Sequence, residues 1–249
     1  MPKIICCANQ KGGVGKTTTA INMGCGLARK GKRVLLIDCD PQANLTSGLG
    51  IFEPDHTIYD VVRGRPLEST IVQTLDEVDL VPSGIDFAGT GVEFQESDSQ
   101  TTQIKQAISS ARLDKYEYII LDAPPSLDLI TINCLIASTN ILIPLQCEYF
   151  ALEGLSQLMN SIEAIIEAQG VMLNVYGILF TMYDKRTRIA GEVVREVVSA
   201  FKEFVFDTII PRNITLAEAP SHGKSIFSYD PQSIGAKSYA NLVEEIVNR

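Results

Sequence analysis

The stretch QKGGVGKTTT, Gln10 to Thr19, gathers glycines, lysines and threonines in a pattern that can do chemistry. Glycines at 12, 13 and 15 permit tight turns in which successive backbone N–H groups point at a single anion. Lys16 can reach the outer phosphate oxygens of a nucleotide, and the Thr17 hydroxyl can ligate Mg2+. A helix beginning here adds a dipole that favours negative charge. Val14 and Thr18 complete the loop and the first helical turn. The general form GxxxxGK[ST] asks for glycine at position 10, which is Gln10, so the strict pattern fails while its working part survives. Lys11 is a second cation where such a loop ordinarily needs one.

Carboxylates should complete an ion site. Asp38 and Asp40 follow one apolar run, and Asp122 follows another. In an open α/β sheet, ligands gather beyond the carboxyl ends of the strands. Two of these acids could orient or water-bridge Mg2+ while the third positions an attacking water. The plainer alternatives are that the aspartates are helix caps, and that Lys11 caps a loop carbonyl or points to solvent.

The elements that must hold these residues alternate. Short apolar runs predict strands at Lys3–Ala8, Val34–Ile37, Tyr118–Leu121, Asn140–Pro144, Val175–Phe180 and Asp207–Ile210. The Asn140 strand is expected to stop at its proline. Helical spacing predicts Lys16–Lys30, Thr131–Ala137, Ala151–Gln169, Ile189–Phe204 and Ser233–Val247. In the first helix the small residues Ala20, Gly24 and Ala28 would allow close packing on a sheet. Residues 48–103 are irregular, with Leu75–Pro82 a short segment and Glu93 to Gln103 a polar loop or the start of a helix running to about Leu113. Buried strands alternating with helices imply a P-loop NTPase-like three-layer α/β fold, a mostly parallel twisted sheet with helices on both faces. No low-complexity linker or repeat divides the chain, so one domain over 1–249 is expected.

Composition narrows the class. The chain is 45% hydrophobic and 20% charged, which suits a globular core, and no run of 18 apolar residues suggests a membrane span. The N-terminus leads straight into the loop without the pattern of a secretion signal, so a cytoplasmic protein is expected. The six cysteines form no CxxC and read as buried reduced thiols, and His56 and His222 are too isolated to suggest zinc. The net charge of −9 is uneven: residues 1–175 carry 12 basic and 21 acidic side chains, and residues 176–249 carry 9 of each. A basic surface built from the back of the chain therefore remains open.

The stretches ANQKGGVGKTTTAIN, VLLIDCDPQANLTSGLG, VPSGIDFAG, IILDAPPS and IIPRNITLAEAPSHGKSI, in that order, resemble the ParA/Soj family of chromosome and plasmid partitioning ATPases. That family lies within the deviant Walker A (MinD/ParA) group, and the likeness, which runs from about residue 3 to the C-terminus, is to its short form without an N-terminal helix-turn-helix domain. The resemblance implies an ATP hydrolase using ATP and Mg2+, homodimeric when ATP-bound. It implies that Lys11 reaches the partner's phosphates and that Gly12 lets the two loops approach. Lys16 and Thr17 would be the usual phosphate and Mg2+ residues, and Asp40 the acid needed for hydrolysis. Asp38 would support the Mg2+ shell, Asp122 would be the Walker B acid, and Pro124 and Pro125 would lie in the switch. The base would be met by the Thr181-Met182 region and by Pro211, Arg212 and Asn213. Apart from the family, a lysine supplied in trans would offset charge on the transferring phosphoryl group, as an arginine finger does.

Nonspecific double-stranded DNA is the implied ligand of the dimer, with a ParB/Spo0J-like DNA-binding protein as the activating partner and the nucleoid as the location. Candidate DNA contacts are Lys185, Arg186, Arg188, Arg195, Lys202, Arg212 and Lys224. Arg188, Arg195 and Lys202 are spaced seven apart and could share a helix face, although an ordinary solvated face would look the same. Many relatives carry arginine where this chain has Thr215, which puts any backbone contact there in doubt. A MinD-like membrane switch is one alternative, but the end SYANLVEEIVNR is too acidic to suit lipid headgroups, and Ile234, Leu242 and Ile246 are expected to pack on the body, so no membrane is expected. A metabolic phosphoryl-transfer enzyme of the same architecture is the other.

Overall fold

A computed structural model describes residues 2–90 and 100–249. Among them, eight strands form a single sheet in the order β3-β4-β2-β5-β1-β6-β7-β8. The strands are β1 (Lys3–Cys7), β2 (Val34–Asp38), β3 (Val72–Gln73), β4 (Asp79–Val81), β5 (Tyr118–Asp122), β6 (Asn140–Gln146), β7 (Asn174–Tyr183) and β8 (Val205–Pro211). Every pairing is parallel except that of β3 with β4 at one edge.

The apolar runs behave as strands buried on both faces should. Successive residues point to opposite sides of a strand. Accordingly Cys6, Leu35, Ile37, Ile119, Leu121, Ile141 and Ile143 enter one core. Their neighbours Ile5, Leu36, Ile120 and Leu142 enter the other. Helices α5 (Leu129–Ala137), α6 (Ala151–Gln169) and α7 (Arg188–Phe201) supply Cys134, Leu155, Leu158, Val193 and Val197 to the first core. Helices α1 (Lys16–Arg29) and α10 (Ile234–Asn248) supply Ala20, Met23, Leu27, Leu242 and Ile246 to the second. The shorter helices are α2 (Asn44–Gly48), α3 (Ile58–Val62), α4 (Gln103–Ser110), α8 (Ile214–Glu218) and α9 (Ile226–Tyr229). The six cysteines are free and buried, as expected.

Four expectations need correction. The polar stretch from Glu93 falls mainly outside the described residues, and the helix after it, α4, ends at Ser110 rather than near Leu113. The strand expected to stop at Pro144 continues through it to Gln146. The missing N–H does no harm there, because β1 pairs with β6 only up to Leu142, and beyond it the Asn9 side chain donates to Pro144 O at 2.7 Å. The helix expected over Ile189–Phe204 ends at Phe201, and Lys202–Phe204 is a 3₁₀ turn. Ile234 does not pack on the body, because it opens the first turn of α10 and stays 57% exposed, whereas Leu242 and Ile246 are buried.

Register and close packing together place the loop. Cys7 and Asp38 both stand opposite Asp122, so β1, β2 and β5 end level. Helix α1 lies so near β2 that a Cβ at Gly24 would stand 2.6 Å from Leu36 Cδ2. Gly24→Val should therefore destabilise the protein by about 1–3 kcal/mol through overpacking. Urea denaturation would check this, with a lowered midpoint and an unchanged slope as the expected result.

Candidate nucleotide-binding and catalytic site

The loop between β1 and α1 turns through left-handed backbone at Gly13 (φ 73°) and Gly15 (φ 89°), a region that side chains resist. Thr181 on β7 donates its hydroxyl to Val14 O at 2.8 Å and pins the loop from a strand two places away from β1 in the sheet. Asn9 ties the entry of the loop to β6 through Pro144 O. Lys16 is buried, and its Nζ donates to the Lys11 carbonyl at 3.2 Å. Burial lowers its pKa, while Asp122 and Asp40 pull it back up.

The three aspartates converge on this loop but differ in environment. Asp122 is wholly buried, and the one donor close to its carboxylate is the Thr17 hydroxyl, which falls short of ordinary hydrogen-bond geometry. Burial first, then repulsion from Asp38, raises its pKa, against the neighbouring Thr17 hydroxyl and Lys16. Asp38 is equally buried but satisfied: Oδ1 accepts from Asp40 N at 3.1 Å, and Oδ2 accepts from Thr46 N at 2.9 Å and Thr46 Oγ1 at 2.6 Å. Burial pushes its carboxyl up to about 6. Asp40 is nearly buried, and its Oδ1 accepts from Gln42 N at 2.9 Å. Asp38 thus organises the loop that carries Asp40, while Asp122 has no comparable set of partners.

A cleft of about 590 Å³ opens over these groups, lined by Gly12, Gly13, Gly15, Lys16, Thr17, Thr18, Asp40 and Pro125 among others. Its volume and mixed lining suit a small-molecule ligand. The glycine cradle, the buried ammonium and an orphaned carboxylate beside a threonine hydroxyl fit a polyphosphate with a hard divalent cation. Lys16 and the loop amides would hold the phosphates, and Thr17 and Asp122 the ion. Pro125 stands at the cleft, where a Cβ on Gly12 would lie 3.9 Å from its Cβ, and Pro124 is buried behind it.

Gly15, Thr18 and Met182 also border a second hollow of about 300 Å³, shared with Pro211, Arg212, Asn213, Ile214, Leu216 and Tyr239. Its mainly apolar walls fit a planar heterocycle. Met182 sits at φ 50°, a strained value for a non-glycine residue. Asn213 Oδ1 caps helix α8 by accepting from Leu216 N at 3.3 Å. Its amide nitrogen is then the end that can face a ligand. Below, the Thr19 and Tyr239 hydroxyls meet at 3.0 Å and join α1 to α10.

The remaining cations are less uniform than their spacing suggests. Lys185, Arg186, Arg188, Arg195, Lys202, Arg212 and Lys224 are all exposed. Arg188 and Arg195 do share α7, while Lys202 falls in the turn after it. Arg186 folds back on Asp184 through bonds of 2.6–3.2 Å. The Arg212 backbone donates to Tyr183 O at 3.0 Å, which brings it beside this loop. Lys224 is elsewhere, next to Gly223, whose backbone packs on Gly50. Sequence reasoning missed Asn9, Thr46 and Glu148, the last of which pairs with Lys11. Asn9 and Thr46 lie within the quoted stretches and Glu148 outside them, but the residue types do not announce these contacts, which the fold makes.

Comparison with known proteins agrees with this geometry. A family model described as "AAA domain" matches residues 2–175. The sporulation initiation inhibitor protein Soj of Bacillus subtilis is 47% identical over 250 residues, covering 99% of this chain and 98% of that protein. The chromosome partitioning protein ParA of Caulobacter vibrioides is 41% identical, covering 99% and 94%. The chain belongs to the ParA/Soj family. It is therefore a P-loop ATPase of the MinD/ParA group, with ATP and Mg2+ as nucleotide and ion, acting in partitioning or positioning. Among solved structures, a cobyrinic acid a,c-diamide synthase from Mycobacterium smegmatis with bound ATP analogue and magnesium superposes with TM-score 0.86 at 30% identity, covering 100% of this chain and 95% of that one. A putative plasmid partition protein from Borrelia burgdorferi bound to AMPPNP gives 0.80 at 27%, covering 100% and 99%.

Replacing Asp122 by Asn tests the site. A carboxylate whose folded pKa is raised favours folding below its unfolded pKa of about 3.9, and that contribution is lost as pH rises through the folded value. At neutral pH, above the unfolded value, the burial of Asp122 therefore opposes folding. Asp122→Asn should stabilise the nucleotide-free protein at pH 7.5 by roughly 1–3 kcal/mol, shrinking toward zero near pH 4. It should also abolish the rise in Tm on adding ATP and Mg2+. Thermal melts across pH, with and without ligand, would check both.

Proposed function

We propose that this ParA/Soj-family ATPase pairs two copies around ATP, binds DNA without sequence preference as that dimer, and releases it when a ParB-like partner stimulates hydrolysis. The observation that carries the reading is the loop itself. Lys16 already lies in the cleft against the loop's own carbonyl, while Lys11 stands outside it, exposed and paired away from its own buried carboxylates. A cation so placed is positioned to serve another copy's phosphates. Lys16, Thr17 and the loop amides hold the nucleotide, Asp122 holds the ion through water, and Asp40 positions the attacking water. Asp38 holds the Asp40 loop in shape. Met182, Pro211 and Asn213 contact the base, and Pro124-Pro125 respond to the outer phosphate.

Helix α10 turns its apolar face to the body of the protein and not outward toward a lipid surface. In α10 the apolar Leu242 and Ile246 are buried, and Arg249 donates to Tyr176 O at 2.8 Å and Val205 O at 3.2 Å. Among the described residues no helix is long and apolar enough to cross a membrane. The acidic front of the chain is suited to a basic segment of the ParB-like partner. A cytoplasmic, nucleoid-associated protein of one domain over residues 1–249 is the corresponding picture.

The deciding experiment measures ATPase rate with and without nonspecific DNA and a ParB-like partner, beside a liposome control. Stimulation by DNA and partner together is expected, and ATP-dependent liposome binding would instead favour a MinD-like role. Lys11→Ala should abolish the ATP-dependent dimer in light scattering, and a full dimer would refute the trans assignment.

DNA binding gives a residue-level test. Nonspecific affinity should be roughly 10⁻⁴ to 10⁻⁶ M at physiological salt. Arg188→Ala and Arg195→Ala should each weaken it and reduce the salt slope by about 0.9 per contact. Arg186→Ala should change the slope far less, because its guanidinium is already held by Asp184. Fluorescence anisotropy at several salt concentrations would separate the two.

A further inference from the structure

Lys11 is engaged in the single chain. Its Nζ is ion-paired with Glu148, on the turn between β6 and α6. Its backbone N–H donates to Asn9 Oδ1 at 3.0 Å, and Asn9 Nδ2 donates in turn to Pro144 O at 2.7 Å. The approach to the phosphate loop is thus fastened twice to one strand and its continuation, by its backbone partner at Pro144 and by its cation at Glu148. The two side chains of the ion pair are 54% and 46% exposed, so the pair lies at the surface, beside Gly12, where a second copy could reach it. Directly after Glu148, Tyr149 and Phe150 stack edge to face and remain 75% and 69% exposed.

We propose that Glu148 is a cis latch on Lys11, holding the lysine on its own protomer until a nucleotide-loaded second copy draws it across. The inference rests on the reading of Lys11 as a trans residue and adds what restrains it beforehand. An ammonium that moves to a partner's phosphates gives up its ion pair, and the Glu148 carboxylate left behind is a like charge near those phosphates. Both effects oppose pairing without nucleotide, when no phosphate compensates the loss. With nucleotide, the polyanion outbids one carboxylate for the same cation. An exposed ion pair shifts an equilibrium only modestly, but a symmetric dimer must open two of them. Removing the latch should therefore raise the dimer association constant roughly 2- to 30-fold.

The test is sedimentation velocity on the full chain with Mg2+ and a non-hydrolysable ATP analogue, comparing the wild type, Glu148→Gln, Lys11→Ala and the double variant. Glu148→Gln should reach half-dimer at a protomer concentration lower by that factor, and the gain should vanish in the Lys11→Ala background. A Glu148→Gln protein that dimerises no better than wild type, while Lys11→Ala abolishes the dimer, overturns the latch and leaves the trans lysine standing. A Lys11→Ala protein that dimerises like wild type removes the trans reading and the latch with it. Unchanged thermal melts would show that Glu148→Gln acts on pairing and not on the fold of the protomer.

Discussion

Asp122 is taken out of water at the end of β5, between β1 and β2, with neither carboxylate oxygen hydrogen-bonded. An ionised carboxylate in such a place is costly unless something of opposite charge answers it. The neighbouring groups only half answer. Asp38 adds a second buried acid and raises Asp122 further, while Lys16, itself desolvated, pulls the other way. Asp38 is settled by the Thr46 N–H and hydroxyl and by the Asp40 N–H. What remains without such partners is Asp122, which can take up a proton or, in the proposed site, face a divalent cation with its water shell.

The sheet makes that placement. Because β1, β2 and β5 are parallel and level at Cys7, Asp38 and Asp122, their loops leave the sheet at one height and on one side. The chain passes from β5 across β1 to reach β6, so the phosphate loop emerges where neighbouring connections diverge. Close packing of α1 on β2 at Gly24 then sets the helix N-terminus over the carboxylates. Stability and chemistry meet in the same contacts, since the core that holds α1 down is also what aims Lys16 and Thr17.

Much of this was legible in the sequence because it depends on local pattern. Apolar runs of strand length and helices of regular spacing identify a parallel sheet covered on both sides, and the glycine-lysine-threonine order identifies the loop. The Pro144 strand was misread because the rule against proline concerns a paired N–H, and sequence alone does not show that β1 has already ended. Arg186 and Arg188 look equivalent in the sequence, yet only Arg186 closes on Asp184. The contacts of Thr46, Asn9 and Glu148 are not legible for a related reason. Each acts through a partner that the fold, and not the spacing, brings near: Asp38, Pro144 and Lys11.

The two lysines of the loop show how far one chain can complete its own site. Lys16 is buried beside the carboxylates and belongs to the phosphates that would lie over it. Lys11 faces the other way, toward Glu148 at the surface, although its carbonyl accepts from Lys16. Lys11 and Lys16 are thus joined directly, by one hydrogen bond and a short stretch of backbone. Such a connection needs no long-range pathway, because six residues of chain span it, from Lys11 to Lys16. In the proposed pairing, occupancy of the cleft and engagement across the surface would be two ends of one loop.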